Sequence, residues 1–205
     1  HVPAWFFLGY SIHGPTVDFW RPILPSMTLC FKTLIESNPD LVCVRRIGYS
    51  DLPDLFAHLS APAIAEQVGS APQSKDDLAR YVLPSSAGET SFLRLAITSR
   101  LTDRLIGTVG FHSVAWRHRS AEIAFDLVPE MWSKGIATYV CGLAVDWAHE
   151  EAGLVRVQAT VLDSNLRSLA VLDRCGFVRE GLLMRYRILD GQSKDFFMLS
   201  HVATA

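Results

Sequence analysis

The chain has no excess of charge of either sign: 19 lysines and arginines against 21 aspartates and glutamates leave a formal net charge of -2 over 205 residues. That balance argues against a global nucleic-acid-binding surface, which needs a basic excess to meet phosphates. No apolar run reaches the roughly 18 residues that a membrane-spanning helix requires, so no membrane partner is expected. The apolar opening, residues 1–8, lacks the basic leader and cleavage site of a secretory signal. A first residue of His rather than Met is what a chain beginning inside a longer reading frame would show. Cysteine is sparse and scattered: Cys30, Cys43, Cys141 and Cys175 form no C-x-x-C pair, and the seven histidines show no ligand spacing. Reduced thiols, no metal and a cytoplasmic location are therefore expected. Internal repeats and low-complexity stretches are also missing, as are the G-x-G-x-x-G and G-x-x-x-x-G-K-[ST] nucleotide fingerprints.

With 49% hydrophobic residues, the chain has ample material for one α/β-sized domain. Its most informative stretch is residues 120–138, SAEIAFDLVPEMWSKGIAT. The first half alternates and is rich in Ile, Phe, Leu and Val, which predicts a strand over 121–128 ended by Pro129. From Gly135 the apolar residues Ile136, Val140, Leu143, Ala144, Trp147 and Ala148 recur on one face of a helix, with Gly153 as its C-terminal cap. A strand that turns through Ser133-Lys134-Gly135 into a helix leaves backbone N-H groups open at the positive end of the helix dipole. Such an end suits a phosphate, and the small residues Gly135 and Ala137 let a diphosphate come close.

Residues 1–40 carry Pro3, Pro15, Pro22, Pro25 and Pro39 with Trp5, Phe6, Phe7, Tyr10, Phe19 and Trp20. So much aromatic surface predicts an arm packed on the domain, 41–205, or else on a partner, a homodimer being one arrangement, or over the substrate groove as a lid. Alternation predicts a first strand at 41–47, and Ser50 a cap for a helix over 51–59. Further helices are predicted at 62–68 and, capped by Ser74, at 76–83. Strands follow at 92–98, 104–114 and 154–162; the strand-helix-strand over 121–162 is long enough for a parallel crossover. Asn165 caps a helix ending at Gly176, and a hairpin turns at Asp190-Gly191 between strands 177–189 and 193–202.

Trp132-Ser-Lys-Gly-Ile-Ala resembles the Q/R-x-x-G-x-G/A signature of the GNAT superfamily of N-acetyltransferases. The longer run 129–138, followed by Asn165-Leu-Arg-Ser168 and Arg174-Cys-Gly-Phe177, resembles its Rim-type branch, named for ribosomal-protein N-terminal acetyltransferases. Element order agrees from about residue 41 to 202. The resemblance implies a single mixed α/β domain, its central twisted sheet mostly antiparallel with one splayed parallel strand pair, flanked by helices. It implies acetyl transfer from acetyl-coenzyme A to a primary amine by direct attack in a ternary complex. The acceptor is left open between a protein N-terminus and a small-molecule amine.

The chemistry then sets residue roles. An ammonium is no nucleophile: a lysine amine has a pKa near ~10.4 and an α-amine near ~8, so a base or water chain must take a proton. The thioester oxygen wants backbone donors, for which Phe125, Asp126, Leu127 and Val128 are candidates. On the resemblance, the backbone of Trp132, Ser133, Lys134, Gly135, Ile136, Ala137 and Thr138 holds the coenzyme diphosphate, and Lys134 either pairs with phosphate or is a solvated loop lysine. Trp132 is expected to serve in packing. Glu122 is the first candidate for the base, the alternative being a carboxylate paired with Arg117, Arg119 or Arg156; Asp126, on the same face, is the reserve. Asn165 caps its helix, bonds the pantetheine arm, or both. On the resemblance Ser168 would point toward the coenzyme sulfur, the alternative being a first-turn serine that bonds local backbone; its role gains weight because Leu172 stands where many GNAT enzymes have a tyrosine acid. His112 is read as a satisfied or partly exposed strand residue, and Arg185, Tyr186 and Arg187 cannot all face the acceptor groove if alternation holds.

The missing tyrosine also keeps a rival in view, a module that binds acetyl-coenzyme A as a sensor without turning it over. A Rossmann-type dinucleotide enzyme is disfavoured, because the glycine motif comes late and is not G-x-G-x-x-G.

Overall fold

The computed structural model describes residues 30–31, 42–68, 72, 74, 76–82 and 91–204. In chain order the elements are β1 (Cys30–Phe31), β2 (Val42–Arg46), α1 (Leu52–Ser60), α2 (Pro62–Val68), α3 (Ala79–Val82), β3 (Ser91–Ser99), β4 (Leu105–Ala115), β5 (Ser120–Leu127), α4 (Ile136–Glu150), β6 (Arg156–Leu162), α5 (Leu166–Arg174), β7 (Val178–Leu189) and β8 (Gln192–Val202). The strands form one sheet in the order β1-β2-β3-β4-β5-β6-β8-β7. Every neighbouring pair is antiparallel except β5 and β6. This is a mixed α/β architecture, mostly antiparallel with one parallel pair, as the resemblance implies. The predicted arm, apart from Cys30–Phe31, lies outside the described residues, and so does the end of the predicted helix 76–83.

Most predicted elements appear within a residue or two of their expected bounds. Residues 42–46 form the second strand rather than the first, because Cys30 and Phe31 pair with Cys43 and Val42. Ser50 does not cap α1. A 3-10 turn, Tyr49–Asp51, precedes the helix, and Asp51 Oδ2 accepts from Gly48 N at 2.7 Å while Arg45 donates to both carboxylate oxygens, at 2.6 and 2.8 Å. Ser74 does cap as expected: its hydroxyl accepts from Asp77 N and its own amide donates to the Asp77 carboxylate at 2.9 Å. Asp190 and Gly191 both take positive φ, 49° and 74°, the backbone of the tight hairpin that joins β7 to β8.

Between the register shifts at their ends, alternation along β3, β4 and β5 sorts the side chains onto two faces. On one, Leu95, Ile97, Val109, Phe111, Ile123 and Leu127 pack with α4 and α5 side chains, such as Val140, Ala144 and Leu169, in the main core. The other carries Arg94, Thr108, His112, Glu122 and Asp126, and a smaller core of Ile47, Leu55, Leu78, Ala96 and Leu105 covers part of it beneath α1 and α3. β4 lies so close to its neighbours that a Cβ on Gly107 would meet the Asp126 carbonyl oxygen at 2.2 Å, and one on Gly110 the Leu93 carbonyl oxygen at 1.9 Å. Among the described residues no helix is long and apolar enough to cross a membrane.

Candidate active site

β5 and β6 are registered at three positions only, Ser120 with Arg156, Ala121 with Val157 and Glu122 with Gln158. Beyond them β5 continues to pair with β4 and β6 with β8, and a gap opens between. Val128 N donates to Ile106 O at 2.8 Å, which fixes the parity of the β4 ladder. Amides of Glu122, Ala124, Asp126 and Val128 therefore turn to β4, while those of Phe125 and Leu127 turn to the gap. Of the four backbone donors expected from sequence, two face the opening. Asp126 and Val128 do not, because the antiparallel ladder uses their N-H groups. The Leu127 carbonyl is taken by the Trp132 indole N-H at 2.8 Å.

At the far end of the gap the chain makes a 3-10 turn, Pro129–Met131, and enters α4 through two left-handed residues, Ser133 (φ 61°) and Gly135 (φ 78°). No side chain caps α4. The first helical bond runs from Tyr139 N to Gly135 O at 3.0 Å, so the amides of Ile136, Ala137 and Thr138 point out of the helix end. Open amides at a positive dipole end, approached by a glycine loop, are a cradle for phosphate. The arrangement fits the diphosphate of coenzyme A. The Lys134 ammonium lies beside the same loop, its Nζ 3.6 Å from Met131 Sδ. Trp132 packs against the main core, in keeping with the packing role expected of it, and the Arg167 guanidinium stacks 4.4 Å above its ring. Arg167 escaped the sequence reading, although its place between Asn165 and Ser168 puts it on the first turn of α5, beside the loop.

A cleft of about 1480 Å³ joins these parts. Trp132, Ser133, Gly135, Ile136, Ala137 and Thr138 line it from the α4 entrance, and Asn165, Arg167, Ser168 and Leu172 from α5. Phe125, Asp126 and Leu127 line it from β5, whereas Val128 and Lys134 do not. Asn165 Oδ1 accepts from Ser168 N at 3.1 Å, so it caps α5 as predicted and sets the first turn that carries Ser168. Leu172 is fully buried.

The rest of the cleft lies against the polar face of the sheet. Asp126 is walled in. Its Oδ1 takes Thr108 N at 2.9 Å and stands 2.7 Å from His58 Nε2, while its Oδ2 accepts from Thr108 Oγ1 at 2.7 Å and from Arg94. Burial alone would raise its pKa, but Arg94, His58 and Thr108 outweigh it and hold the carboxyl down at about 2. A carboxylate so fully bonded is a structural anchor, which removes Asp126 as the reserve base. Glu122 is differently placed. Thr160 donates to its Oε1, Arg187 stands 3.6 Å away and His112 Nε2 3.8 Å away. None of the expected partners is there: Arg156 binds Glu180 at 2.6 and 2.7 Å, Arg119 binds the Gly153 carbonyl, and Glu122 has no contact with Arg117. Of Arg185, Tyr186 and Arg187 only Arg187 lines the cleft, so the three do not all face it; Arg185 takes a left-handed φ of 54° where the β7 ladder slips. Among the described residues no group of three His, Cys, Asp or Glu side chains is disposed to hold a metal.

Comparisons with known proteins agree with this geometry. The family model described as acetyltransferase (GNAT) domain matches residues 42–178. YoaA of Bacillus subtilis, an uncharacterized N-acetyltransferase, is 32% identical over 159 residues, covering 76% of this chain and 90% of its own. The spermidine N(1)-acetyltransferase of Vibrio cholerae is 31% identical over 91 residues, 44% of this chain and 53% of its own. Among solved structures, the spermidine N-acetyltransferase of Vibrio cholerae in complex with CoA and spermine superposes with a TM-score of 0.69 at 22% identity, over 78% of this chain and 95% of that one. The ribosomal-protein-S5-alanine acetyltransferase of Vibrio fischeri gives 0.67 at 20% identity, over 78% and 92%. At those identities the structures speak for the fold.

Proposed function

The chain belongs to the GNAT acetyltransferase family and is an acetyltransferase; from that premise we propose that it moves the acetyl group of acetyl-coenzyme A to a small-molecule amine by direct attack in a ternary complex. The observation that carries this reading is the gap opened where β5 leaves β6, with free amides of Phe125 and Leu127 on one wall and the uncapped start of α4 at its end. Amides of Ile136, Ala137 and Thr138 hold the diphosphate, with Arg167 adding positive charge beside them. Phe125 and Leu127 present N-H groups to the pantetheine arm and to the thioester oxygen, where charge develops as the amine attacks. Ser168 offers its hydroxyl to the departing sulfur. The acceptor ammonium is received at Glu122.

Charge in the acceptor half favours a monoamine over a polyamine. Arg94 and Arg187 both line the cleft, and the two sheet carboxylates already face them. A single ammonium finds Glu122, but a chain of further ammonium groups meets two guanidiniums against the one further carboxylate of Asp77. Leu59, Ala63, Ile64 and Phe196 give the same half an apolar wall suited to a compact organic body. Thiol release from acetyl-coenzyme A, measured with a panel of small monoamines, peptides bearing free N-termini and spermidine, tests this. Monoamines are expected to be preferred by at least tenfold in kcat/KM. Preference for spermidine or peptides overturns the acceptor class, and coenzyme binding without release for any amine makes the protein a sensor instead.

A further inference from the structure

The proton of the acceptor ammonium needs a destination, and β4 supplies one opposite Glu122. His112 is the register partner of Glu122 on the neighbouring strand, so both side chains rise from the same face of the sheet. Immediately after His112 the ladder breaks: Ser113 takes a left-handed φ of 52°, and pairing resumes only at Ala115 with Ser120. A bulge beside a cleft re-aims the side chain next to it. Here it brings the Ser113 hydroxyl 3.1 Å from His112 Nδ1 and turns His112 Nε2 toward Glu122 Oε1 at 3.8 Å. The 3.8 Å separation is too long for a hydrogen bond between the two. The His112 side chain remains 40% exposed and lines the cleft.

Resting on the acetyl-transfer reading, we infer that His112 takes the acceptor's proton at Nε2, while Glu122 seats the ammonium beside it. In the tautomer whose Nδ1-H donates to Ser113 Oγ, 3.1 Å away, the Nε2 lone pair is free to accept. One N-H bond of the ammonium breaks and an Nε2-H bond forms. The nitrogen keeps the electron pair with which it attacks the thioester carbonyl, and the imidazolium, paired with Glu122, returns its proton to water in the open part of the cleft. Thr160 already donates to Glu122 Oε1 and Arg187 stands 3.6 Å from it, so the carboxylate is held in place to seat a cation beside the ring.

The groups facing His112 also favour this assignment. Burial, then the Arg94 guanidinium from β3 and that of Arg187 from β7, lower its pKa below the ordinary 6.5, against Glu122 from β5, which raises it. The ring is therefore neutral, and able to accept, at physiological pH.

The test compares wild type, His112→Gln and Glu122→Gln by amine-dependent thiol release across pH, with coenzyme A affinity measured alongside by calorimetry. Wild-type kcat/KM is expected to fall on the acid side along a single-proton limb. His112→Gln should lose that limb and roughly a hundredfold or more in kcat, with coenzyme affinity unchanged. Glu122→Gln should keep the limb but move it to lower pH, since the group that raises the histidine's pKa has gone, and should raise KM for the amine. His112→Ala with added imidazole should regain turnover, a reading that a structural role for His112 would not give. Full activity with an intact limb in His112→Gln, or a limb abolished by Glu122→Gln alone, overturns the inference. Wild-type protein that binds coenzyme A yet releases no thiol with any amine overturns the acetyl-transfer reading itself, and this assignment with it.

Discussion

Glu122 and Asp126 stand four residues apart on one face of β5, and only the second is saturated: Asp126 is engaged by the side chains of Arg94, His58 and Thr108 and by the Thr108 amide, whereas Thr160 alone donates to Glu122. The sequence offers two equivalent carboxylates, and the fold gives them different work. Asp126→Asn leaves the Arg94 guanidinium, 18% exposed, without its counter-charge. Breaking a buried pair of this kind costs about 3–5 kcal/mol, so a melting-temperature drop on the order of ten degrees is expected, against a degree or two for Glu122→Gln. Equal drops in the two variants would show that Asp126 is no anchor. The acid limb of stability should follow the same group. Its folded pKa of about 2 lies below that of an unfolded aspartate, so its contribution is intact above about pH 4 and is lost as pH falls toward 2.

Coenzyme binding should depend on the open start of α4. Ala137→Glu places a carboxylate where the amides of Ile136, Ala137 and Thr138 await an anion, and it leaves the left-handed residues Ser133 and Gly135 untouched. Calorimetry should show coenzyme A affinity falling at least tenfold, roughly 1.4 kcal/mol or more, with the melting temperature of the free protein nearly unchanged. Undiminished affinity would place the diphosphate elsewhere.

Asn165 and Ser168 separate structure from chemistry on a single turn. Asn165→Ala removes the cap that Ser168 N donates to, at a cost of about 1 kcal/mol of stability. Ser168→Ala leaves that bond in place, since it uses the main chain. It should melt like wild type yet lose roughly tenfold or more in kcat if the hydroxyl serves the departing sulfur. Unchanged kcat would confine Ser168 to the helix.

A second pH response should come from the opposite end of α4. His149 Nδ1 donates to Leu154 O at 2.8 Å, so its Nε2 accepts from His201 Nδ1 on β8 at 2.9 Å. Burial, and then His149, lower the pKa of His201, partly opposed by Asp146. The folded protein binds this proton less readily than the unfolded chain does. The contribution is therefore complete above about pH 6.5 and declines as pH falls below it. Melting curves from pH 7 to pH 5 should slope less steeply for His201→Gln than for wild type; identical slopes would rule the pair out as a source.

The strand-loop-helix at 120–138 was legible because its signals are local: alternation to Leu127, a stop at Pro129, a glycine at the helix start and then a change of period. The Asp190-Gly191 hairpin was legible for the same reason. What sequence could not supply is set by neighbours distant in the chain. Thr160 and Arg187 reach Glu122 from β6 and β7, and no spacing announces them. Which of the residues 125 to 128 present their amides to the gap is a matter of ladder parity, fixed by a bond to Ile106. His112 reads as an ordinary strand residue until the bulge at Ser113 turns it. The strand at Cys30–Phe31 is too short to show any pattern.

Three rungs between β5 and β6 are a short seam for a sheet of eight strands. On either side of it the long strands pair over many more positions, β2 to β5 on one flank and β6 to β8 on the other, while one core beneath ties both flanks together. The cleft thus opens at a junction the hydrogen-bond ladder leaves nearly unlaced and the core keeps closed from below. A thioester arm laid along Phe125 and Leu127 would add a lateral tie where the sheet has fewest of its own.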